Sequence, residues 1–225
     1  MPITSPASPV PGIERRYRRV AALASLAALT ALPAFSAGAQ SDASAAAAKA
    51  PLPVVAHLDL QRYSGTWHEI ARLPNSFQKK CVGGNVSAEY TPLPSGDVSV
   101  LNSCRLADGS LSQAQGLARR VPVKEGEAPD VGRLEVRFAP SWLSWLPMVW
   151  GDYWVMDIAE DYSTVLVGTP DRQYLWLLAR QPRMAPADVQ RWLDKAAALG
   201  FDKQTVTLTA PAAADLSPAP APIKP

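Results

Sequence analysis

The chain has 225 residues, a formal net charge of +2 at pH 7 and a hydrophobic content of 48%, which allows one core of domain size with flanking tails. The net positive charge comes from one end, because residues 1–39 contain four arginines and one glutamate and so leave the remainder at −1. A nearly neutral chain has no basic excess to attract phosphates, which argues against a nucleic-acid-binding protein.

The N-terminal segment has the features of an export signal. Residues 15–19 are basic, residues 20–35 are apolar, and Ala37-Gly38-Ala39 provides small residues at a cleavage point before Gln40. The apolar run is too short to favour a membrane span, and Pro33 interrupts its end. We therefore predict a signal peptide over residues 1–39.

Low-complexity segments flank the predicted domain. Residues 40–53 are rich in alanine and have no apolar period, which predicts a flexible leader. Residues 211–225 contain repeated Pro-Ala pairs, which are typical of a disordered tail. The folded domain is therefore predicted over residues 54–210.

Most of this domain consists of short β-rich segments separated by Gly, Pro, Asn and Asp clusters. They predict eight strands, at residues 66–72, 84–90, 98–105, 111–119, 132–138, 151–159, 164–168 and 174–180. Eight antiparallel strands joined by short turns can close into a barrel that holds one small ligand. The sequence thus predicts an all-β, up-and-down barrel.

The hydrophobic period changes after the eighth strand. One apolar stripe at helical spacing consists of Val189, Trp192, Leu193, Ala196 and Leu199. Pro186 suits a first helical turn, and Gly200 stands where helices commonly end. We predict one helix between them, packed outside the barrel, and a short final strand at residues 205–208.

The eighth strand is apolar at every position from 174 to 179, so we expect it to be covered on both faces. If Arg180 points into the barrel, alternation directs Trp176 and Tyr174 inward as well, and directs the intervening residues towards the helix. An outer-membrane barrel has a polar interior, so this pattern argues against one.

Four segments carry a family resemblance. They are Gly65-Thr66-Trp67, residues 151–157, Asp161-Tyr162 before the seventh strand, and the long run from Gly168 through Arg172, Tyr174 and Trp176 to Arg180. The first is similar to the G-x-W signature of lipocalins, and the last resembles the G-x-P-x-R-x-Y-L-W-I-L-S-R segment of bacterial lipocalins related to apolipoprotein D. The resemblance implies an eight-stranded lipocalin barrel with one C-terminal helix. It also implies non-enzymatic transport or storage of a fatty acid or lysophospholipid in the bacterial cell envelope, with no cofactor.

The same resemblance implies that Arg180 lies over Trp67 at the closed end of the barrel, as a structural pair. Alternation from Trp67 places Glu69 inward, where it could pair with Arg180 or another interior base, or contact a polar ligand head. Tyr153 follows a tryptophan-rich segment at residues 142–150 and is expected near the mouth of the barrel. The predicted ligand-binding set consists of Glu69, Ala71, Tyr153, Tyr174 and Trp176.

Cys81 and Cys104 are the two cysteines, and an exported chain with two cysteines suggests one disulfide. A simple two-residue turn at Ser95-Gly96 would not place them opposite each other, so the bridge requires a bulge or a loop position for Cys81. Two separate buried thiols are the alternative. Many lipocalin relatives carry a lipidated cysteine at the cleavage point; its absence here predicts a soluble periplasmic or secreted protein.

The sequence offers little for catalysis or metal binding. His57 and His68 are the only histidines, with no cysteine or carboxylate at ligand spacing, and no G-x-S-x-G motif occurs. We therefore predict no catalytic residue and no metal site. The alternative function is an envelope enzyme acting on lipids or redox-active small molecules, which would turn its ligand over.

A Trp-rich segment precedes the sixth strand. It contains Trp142, Trp145 and Trp150 around Pro147. Its side chains either fold over one end of the barrel or form an exposed apolar rim that meets lipid, since tryptophan favours membrane interfaces. A protein–protein module that uses this segment and leaves the barrel empty is a third hypothesis.

Overall fold

The computed structural model describes residues 50–82, 84–122, 125–126 and 131–209, so the predicted signal peptide, most of the leader and the tail lie outside it. The first elements are helix α1 (Leu60–Tyr63) and strands β1 (Gly65–Arg72), β2 (Ser87–Pro92), β3 (Val98–Arg105) and β4 (Leu111–Arg120). Then follow β5 (Arg133–Arg137), β6 (Gly151–Ile158), β7 (Thr164–Gly168), β8 (Leu175–Ala179), helix α2 (Pro186–Ala198) and β9 (Thr207–Leu208). Short 3₁₀ turns lie at Ser141–Leu143, Pro147–Val149 and Lys203–Thr205.

Eight strands form one closed antiparallel sheet. Each strand from β2 to β8 pairs with the next in sequence, β8 pairs with β1, and β1 pairs with β2. Strand β9 lies outside this circle and pairs only with the end of β1, through Ala71 with Leu208 and Arg72 with Thr207. The predicted eight-stranded barrel with one C-terminal helix is confirmed.

The observed strand boundaries lie within three residues of the predicted ones. The largest difference is at β2, which begins at Ser87 rather than at Gly84. Gly84 and Asn85 have φ angles of 73° and 52°, and this left-handed backbone cannot continue a strand. Helix α1 was not predicted, although its signal is present: the Asp59 carboxylate caps it by accepting from the backbone N–H of Gln61 at 2.8 Å.

Apolar side chains form two separate layers. The interior layer contains Leu58, Tyr63, Trp67, Ala88, Tyr90, Val98, Val100, Ala118, Leu134, Tyr153, Val155, Val165, Val167 and Leu178. The outer layer joins the barrel wall to α2 and contains Leu52, Ile70, Ala71, Leu73, Met156, Leu166, Leu175, Leu177, Ala179, Leu193, Ala196 and Phe201. Strand β8 contributes to both layers, as its uninterrupted apolar sequence predicted.

The alternation of strand directions defines two ends of the barrel. Helix α1 and the connections after β2, β4 and β6 lie at one end, which we call the closed end. The connections after β1, β3, β5 and β7 lie at the other end, which we call the mouth. The mouth loops are residues 73–86, 106–110, 138–150 and 169–174.

The closed end is organised by one arginine. The guanidinium of Arg180 lies 3.9 Å from the centre of the fully buried Trp67 ring. It also donates hydrogen bonds to the carbonyl oxygens of Arg62 at 2.7 Å, Thr66 at 3.0 Å and Tyr162 at 3.2 Å. Cation–π attraction and three carbonyl contacts thus join α1, β1, the β6–β7 turn and the end of β8. The predicted contact of Arg180 with Trp67 is confirmed.

Three buried tyrosines lie above this contact. The hydroxyl of Tyr153 is 2.6 Å from that of Tyr63 and 2.8 Å from that of Tyr90. Tyr63 belongs to α1, and Tyr90 pairs with Gly65 at the start of β1, so the shared hydroxyl cluster lies towards the closed end. Burial raises the pKa of all three phenols, that of Tyr90 to about 12.

Replacing Trp67 with alanine should lower the free energy of unfolding by about 3–5 kcal/mol, because it deletes a large buried side chain. Arg180→Ala should also destabilise the barrel, because it leaves the carbonyls of Arg62, Thr66 and Tyr162 without their donor. Thermal denaturation followed by circular dichroism measures both effects. The control is Arg183→Ala, which removes an exposed arginine and should leave the melting temperature unchanged. Melting temperatures equal to the wild type for both variants would contradict the closing role of the pair.

The tyrosine cluster predicts a loss of stability at alkaline pH. Unfolded tyrosines ionise near pH 10, whereas burial raises the folded pKa of Tyr63, Tyr90 and Tyr153 above that value. The stability that they contribute is therefore complete below about pH 10 and is lost as the pH rises through the folded values.

Ultraviolet titration of tyrosinate checks this prediction. In the folded protein Tyr63, Tyr90 and Tyr153 should resist ionisation at about pH 11, while in denaturant all tyrosines should ionise together near pH 10. Ionisation of every tyrosine near pH 10, with the circular dichroism of the folded barrel unchanged, would contradict it.

Candidate functional site

Strand β1 contains an irregularity that changes which of its side chains face the barrel interior. Glu69 lies opposite Leu178 on β8, but the next pair is Ala71 with Leu177, so Ile70 is an extra residue between the two pairs. Such a β-bulge reverses the alternation beyond it.

The bulge overturns the prediction that Ala71 lines the cavity. Ala71 packs in the outer layer with Leu177. Arg72, which strict alternation would place outside, lies opposite Trp176 on the inner face. Sequence alternation alone could not reveal this arrangement, because nothing in the residues of β1 marks the bulge.

Glu69 keeps the inward position that alternation predicted, but its partners differ from those expected. The residue is 5% exposed, and Gln78 donates from its side-chain amide to the Glu69 Oε2 at 2.6 Å. The Thr209 hydroxyl donates to Oε1, and the Nε of Arg72 lies 3.7 Å from the same oxygen. The suggested pairing of Glu69 with Arg180 is wrong, because Arg180 lies at the closed end.

A role for Gln78 in the site was not predicted from the sequence. Its side-chain oxygen accepts hydrogen bonds from the indole N–H of Trp176 at 3.1 Å and from the Asn75 amide at 2.5 Å. The Asn75 oxygen in turn accepts from the Gln78 backbone N–H at 2.9 Å. These contacts direct the amide of Gln78 into the mouth, where it reaches Glu69. A single glutamine in a polar loop gives no sequence signal for such a role.

A disulfide between Cys81 and Cys104 fixes the same loop to the barrel wall. Cys81 lies in the loop before β2, and Cys104 lies near the end of β3. The predicted bridge is confirmed, with Cys81 at a loop position as the strand geometry required. Loop 73–86 is therefore held at two points, by the covalent bond and by Gln78.

Three aromatic rings pack together at the mouth. Tyr174 stacks on Trp176 with ring centres 5.9 Å apart and planes inclined by 11°. Phe77 from loop 73–86 lies 5.6 Å from Tyr174 and 6.2 Å from Trp176. Tyr174 and Trp176 are half-buried, whereas Phe77 is exposed. Trp176 packs against the interior layer, on the wall where β8 was expected to direct it.

The predicted position of Tyr153 near the mouth is wrong. Although Tyr153 is only the third residue of β6, its side chain is buried and its hydroxyl joins Tyr63 and Tyr90 towards the closed end. The length of the tyrosine side chain and the stagger of tilted strands carry the hydroxyl away from the backbone position. A ligand-binding role for Tyr153 stays a prediction, now at the floor of the barrel.

The mouth is surrounded by exposed apolar side chains, which we call the rim. Among the described residues, seven of the eight exposed large hydrophobic side chains lie in or beside the mouth loops. The rim consists of Phe77, Val82, Leu111, Phe138, Trp142, Trp145 and Met148. Trp142 and Trp145 are 72% and 76% exposed, so they do not fold over the barrel end.

Trp150 differs from the other two tryptophans of its segment. Its ring lies 3.8 Å from the guanidinium of Arg119 and 5.2 Å from that of Arg137, and its indole N–H donates to the Ser144 carbonyl at 2.8 Å. Trp150 is half-buried and anchors the segment to the outer wall. Its assignment to the lipid-facing group does not fit this geometry.

Within the described ranges, no three His, Cys, Asp or Glu side chains form a group that could hold a metal ion. In the same part of the chain no helix has the length and apolar character needed to cross a membrane.

Comparisons with known proteins agree with this architecture. A model of the lipocalin-like domain matches residues 58–211. The chain is 38% identical to temperature-induced lipocalin-1 of Arabidopsis thaliana over 155 residues, which cover 68% of this chain and 80% of that protein. It is 33% identical to the outer membrane lipoprotein Blc of Escherichia coli K12 over 162 residues, 69% of this chain and 84% of that one.

Among solved structures, insecticyanin from the tobacco hornworm Manduca sexta has the same fold, with a TM-score of 0.56 and 20% identity, over 74% of this chain and 87% of that chain. The matching domain model and the identity to these two relatives assign the family. The chain belongs to the lipocalins, a family whose members bind small hydrophobic ligands.

Proposed function

We propose that the protein binds a fatty acid or a lysophospholipid inside the barrel and carries it through the bacterial cell envelope without changing it chemically. The observation that carries this proposal is the contrast between the two ends. The closed end is sealed by Trp67 and Arg180, whereas the mouth is surrounded by aromatic and exposed apolar side chains. A barrel of this kind is suited to an elongated apolar molecule that enters from one side.

The inner wall supports the same proposal. From β2 to β7 the interior layer contains the tyrosines Tyr90 and Tyr153 and eight aliphatic side chains: Ala88, Val98, Val100, Ala118, Leu134, Val155, Val165 and Val167. Burying an acyl chain against such a wall contributes roughly 0.8 kcal/mol per methylene. The polar head is expected at the mouth, because an unpaired charge within the apolar interior would cost several kcal/mol.

The proposed location in the envelope, periplasmic or secreted, has two supports. A disulfide joins Cys81 and Cys104, and such bonds persist in oxidising compartments. One relative carries the name outer membrane lipoprotein.

Trp176 should report the ligand. Titrating the delipidated protein with a long-chain fatty acid or lysophospholipid should change tryptophan emission and saturate near one ligand per chain. Trp176→Phe should remove most of that change, because Trp176 packs against the interior layer. The matched control is Trp192→Phe, which alters a tryptophan of α2 in the outer layer and should retain the change. The proposal fails if no lipid is extracted with the purified protein and none binds at micromolar concentrations.

We also propose that the rim contacts a membrane surface, from which the barrel takes up or to which it delivers its ligand. Exposed tryptophans are favoured at the membrane interface, and Trp142 and Trp145 both project from one mouth loop. Lys79 and Lys80 are exposed in loop 73–86, which contains no acidic residue, so the rim also fits an anionic lipid surface.

The double variant Trp142→Ser/Trp145→Ser should bind vesicles of phosphatidylethanolamine and phosphatidylglycerol at least about tenfold more weakly than the wild type, which corresponds to a loss of ~1.4 kcal/mol. Co-sedimentation measures the partitioning. Trp150 is left intact because it anchors the segment. Leu208→Ser removes an exposed apolar side chain outside the mouth loops and serves as the control. Equal partitioning of the double variant and the wild type would contradict membrane contact by this rim.

A further inference from the structure

Arg72 is an unusual residue on the inner face of an apolar barrel. The bulge at Ile70 places it opposite Trp176, at the last position of β1 before the mouth. Its side chain is 14% exposed, so most of the guanidinium is removed from water. Bulges commonly re-aim one side chain, and the side chain re-aimed here is the cation.

The guanidinium of Arg72 has unused hydrogen-bonding capacity. An arginine carries five N–H donors. The Nε of Arg72 is buried and has no hydrogen-bond partner, and no hydrogen bond from its terminal nitrogens is found among the described residues. The unmatched Nε costs free energy because it is buried, and the terminal nitrogens, which are not among the buried unpaired atoms, are open to a ligand that accepts from them.

Glu69 does not use this capacity. Its nearest approach to Arg72 is 3.7 Å, which is beyond hydrogen-bond length, so the two charges attract each other without sharing a proton. The carboxylate oxygens of Glu69 instead accept from Gln78 and Thr209. Glu69 therefore leaves the N–H donors of Arg72 to another acceptor.

We propose that Arg72 recognises the anionic head of the ligand, a carboxylate or a phosphate, and that the neighbouring charge of Glu69 competes with this contact. The inference rests on the proposed function and specifies its ligand class: the barrel selects amphiphiles with an anionic head over neutral ones. A planar guanidinium binds both acceptor groups through paired, charge-assisted hydrogen bonds. Lys79 and Lys80 add positive potential in loop 73–86, which begins directly after Arg72.

The test compares ligands of equal chain length and different heads. Dodecanoate and lauroyl lysophosphatidate carry the two anionic heads, and dodecanol and monolauroylglycerol carry neutral ones. Each competes with the neutral fluorophore N-phenyl-1-naphthylamine for the delipidated protein. The wild type should bind at least one anionic compound about tenfold or more tightly than the neutral compound of the same chain. The two anionic arms distinguish a carboxylate from a phosphate ligand.

Arg72→Gln should abolish this preference and leave the affinities for dodecanol and the fluorophore within about twofold of the wild type. Arg72→Lys is measured in parallel, because it keeps a counter-charge for Glu69, and it should retain only part of the preference. Arg105→Gln makes the same charge change on an exposed arginine at the mouth end of β3 and should leave the preference unchanged.

The variant Glu69→Gln distinguishes recognition of the ligand head by Arg72 from a purely structural ion pair between Arg72 and Glu69. It removes the negative charge beside Arg72, so it should strengthen the binding of the anionic compounds and leave that of the neutral ones unchanged. A merely structural pair would show no such gain.

Equal affinities for anionic and neutral compounds in the wild type, or an undiminished preference in Arg72→Gln, would overturn this inference and leave the proposed function standing. A preference lost equally in Arg105→Gln would also overturn it, since general electrostatic attraction at the mouth would then suffice. Failure of every compound and of the fluorophore to bind would contradict the proposed function, and this inference with it.

Discussion

The contact between the Arg180 guanidinium and the Trp67 ring lies where the first and last strands of the barrel meet. Strands β1 and β8 are far apart in sequence, and their ladder is interrupted by the bulge at Ile70. Arg180 compensates at the closed end by covering Trp67 and donating to three carbonyl groups from separate segments. Those carbonyls end or connect elements and would otherwise be left partly unmatched. The Arg180 side chain therefore donates hydrogen bonds to these carbonyl groups and also covers the apolar interior at the closed end.

Much of the fold could be predicted because its signals are local. The apolar sequence of β8 indicated cover on both faces, and the stripe through Trp192 and Ala196 indicated α2; both features are present. The disulfide could be predicted from the number of cysteines and the expected compartment. In each case the determining property belongs to residues close in sequence, or to the whole composition.

The candidate site was harder to predict because its geometry is not local. A one-residue bulge exchanges the faces of Ala71 and Arg72, and only the pairing with β8 reveals it. Tyr153 was misplaced because its hydroxyl reaches partners on α1 and β2 that its position in β6 does not indicate. Gln78 gained its role from contacts with Glu69 of β1 and Trp176 of β8, which lie outside its own loop. Alternation rules assume an unbroken ladder and short side chains, and both assumptions fail here.

The mouth combines rigidity with exposure, and the two properties come from different residues. Loop 73–86 is attached to the barrel by the disulfide at Cys81 and by the hydrogen bonds of Gln78, and such attachments reduce the ordering that ligand binding requires. The exposed side chains of Phe77 and Val82 belong to the same loop. The attached loop therefore presents an apolar surface that it cannot bury by collapsing.

The order of groups from the rim to the floor also bears on how a lipid would enter. The exposed rim lies outermost, Arg72 and Glu69 lie just inside it, and the aliphatic wall and the tyrosine hydroxyls lie deeper. A lipid drawn tail first from a membrane that touches the rim would pass its acyl chain along Trp176 to the wall. Its head would then stop beside Arg72, without crossing the apolar interior. Entry head first would require the charge to cross that interior, at a cost of several kcal/mol. The sequence of environments along the barrel axis thus favours a single orientation of the ligand.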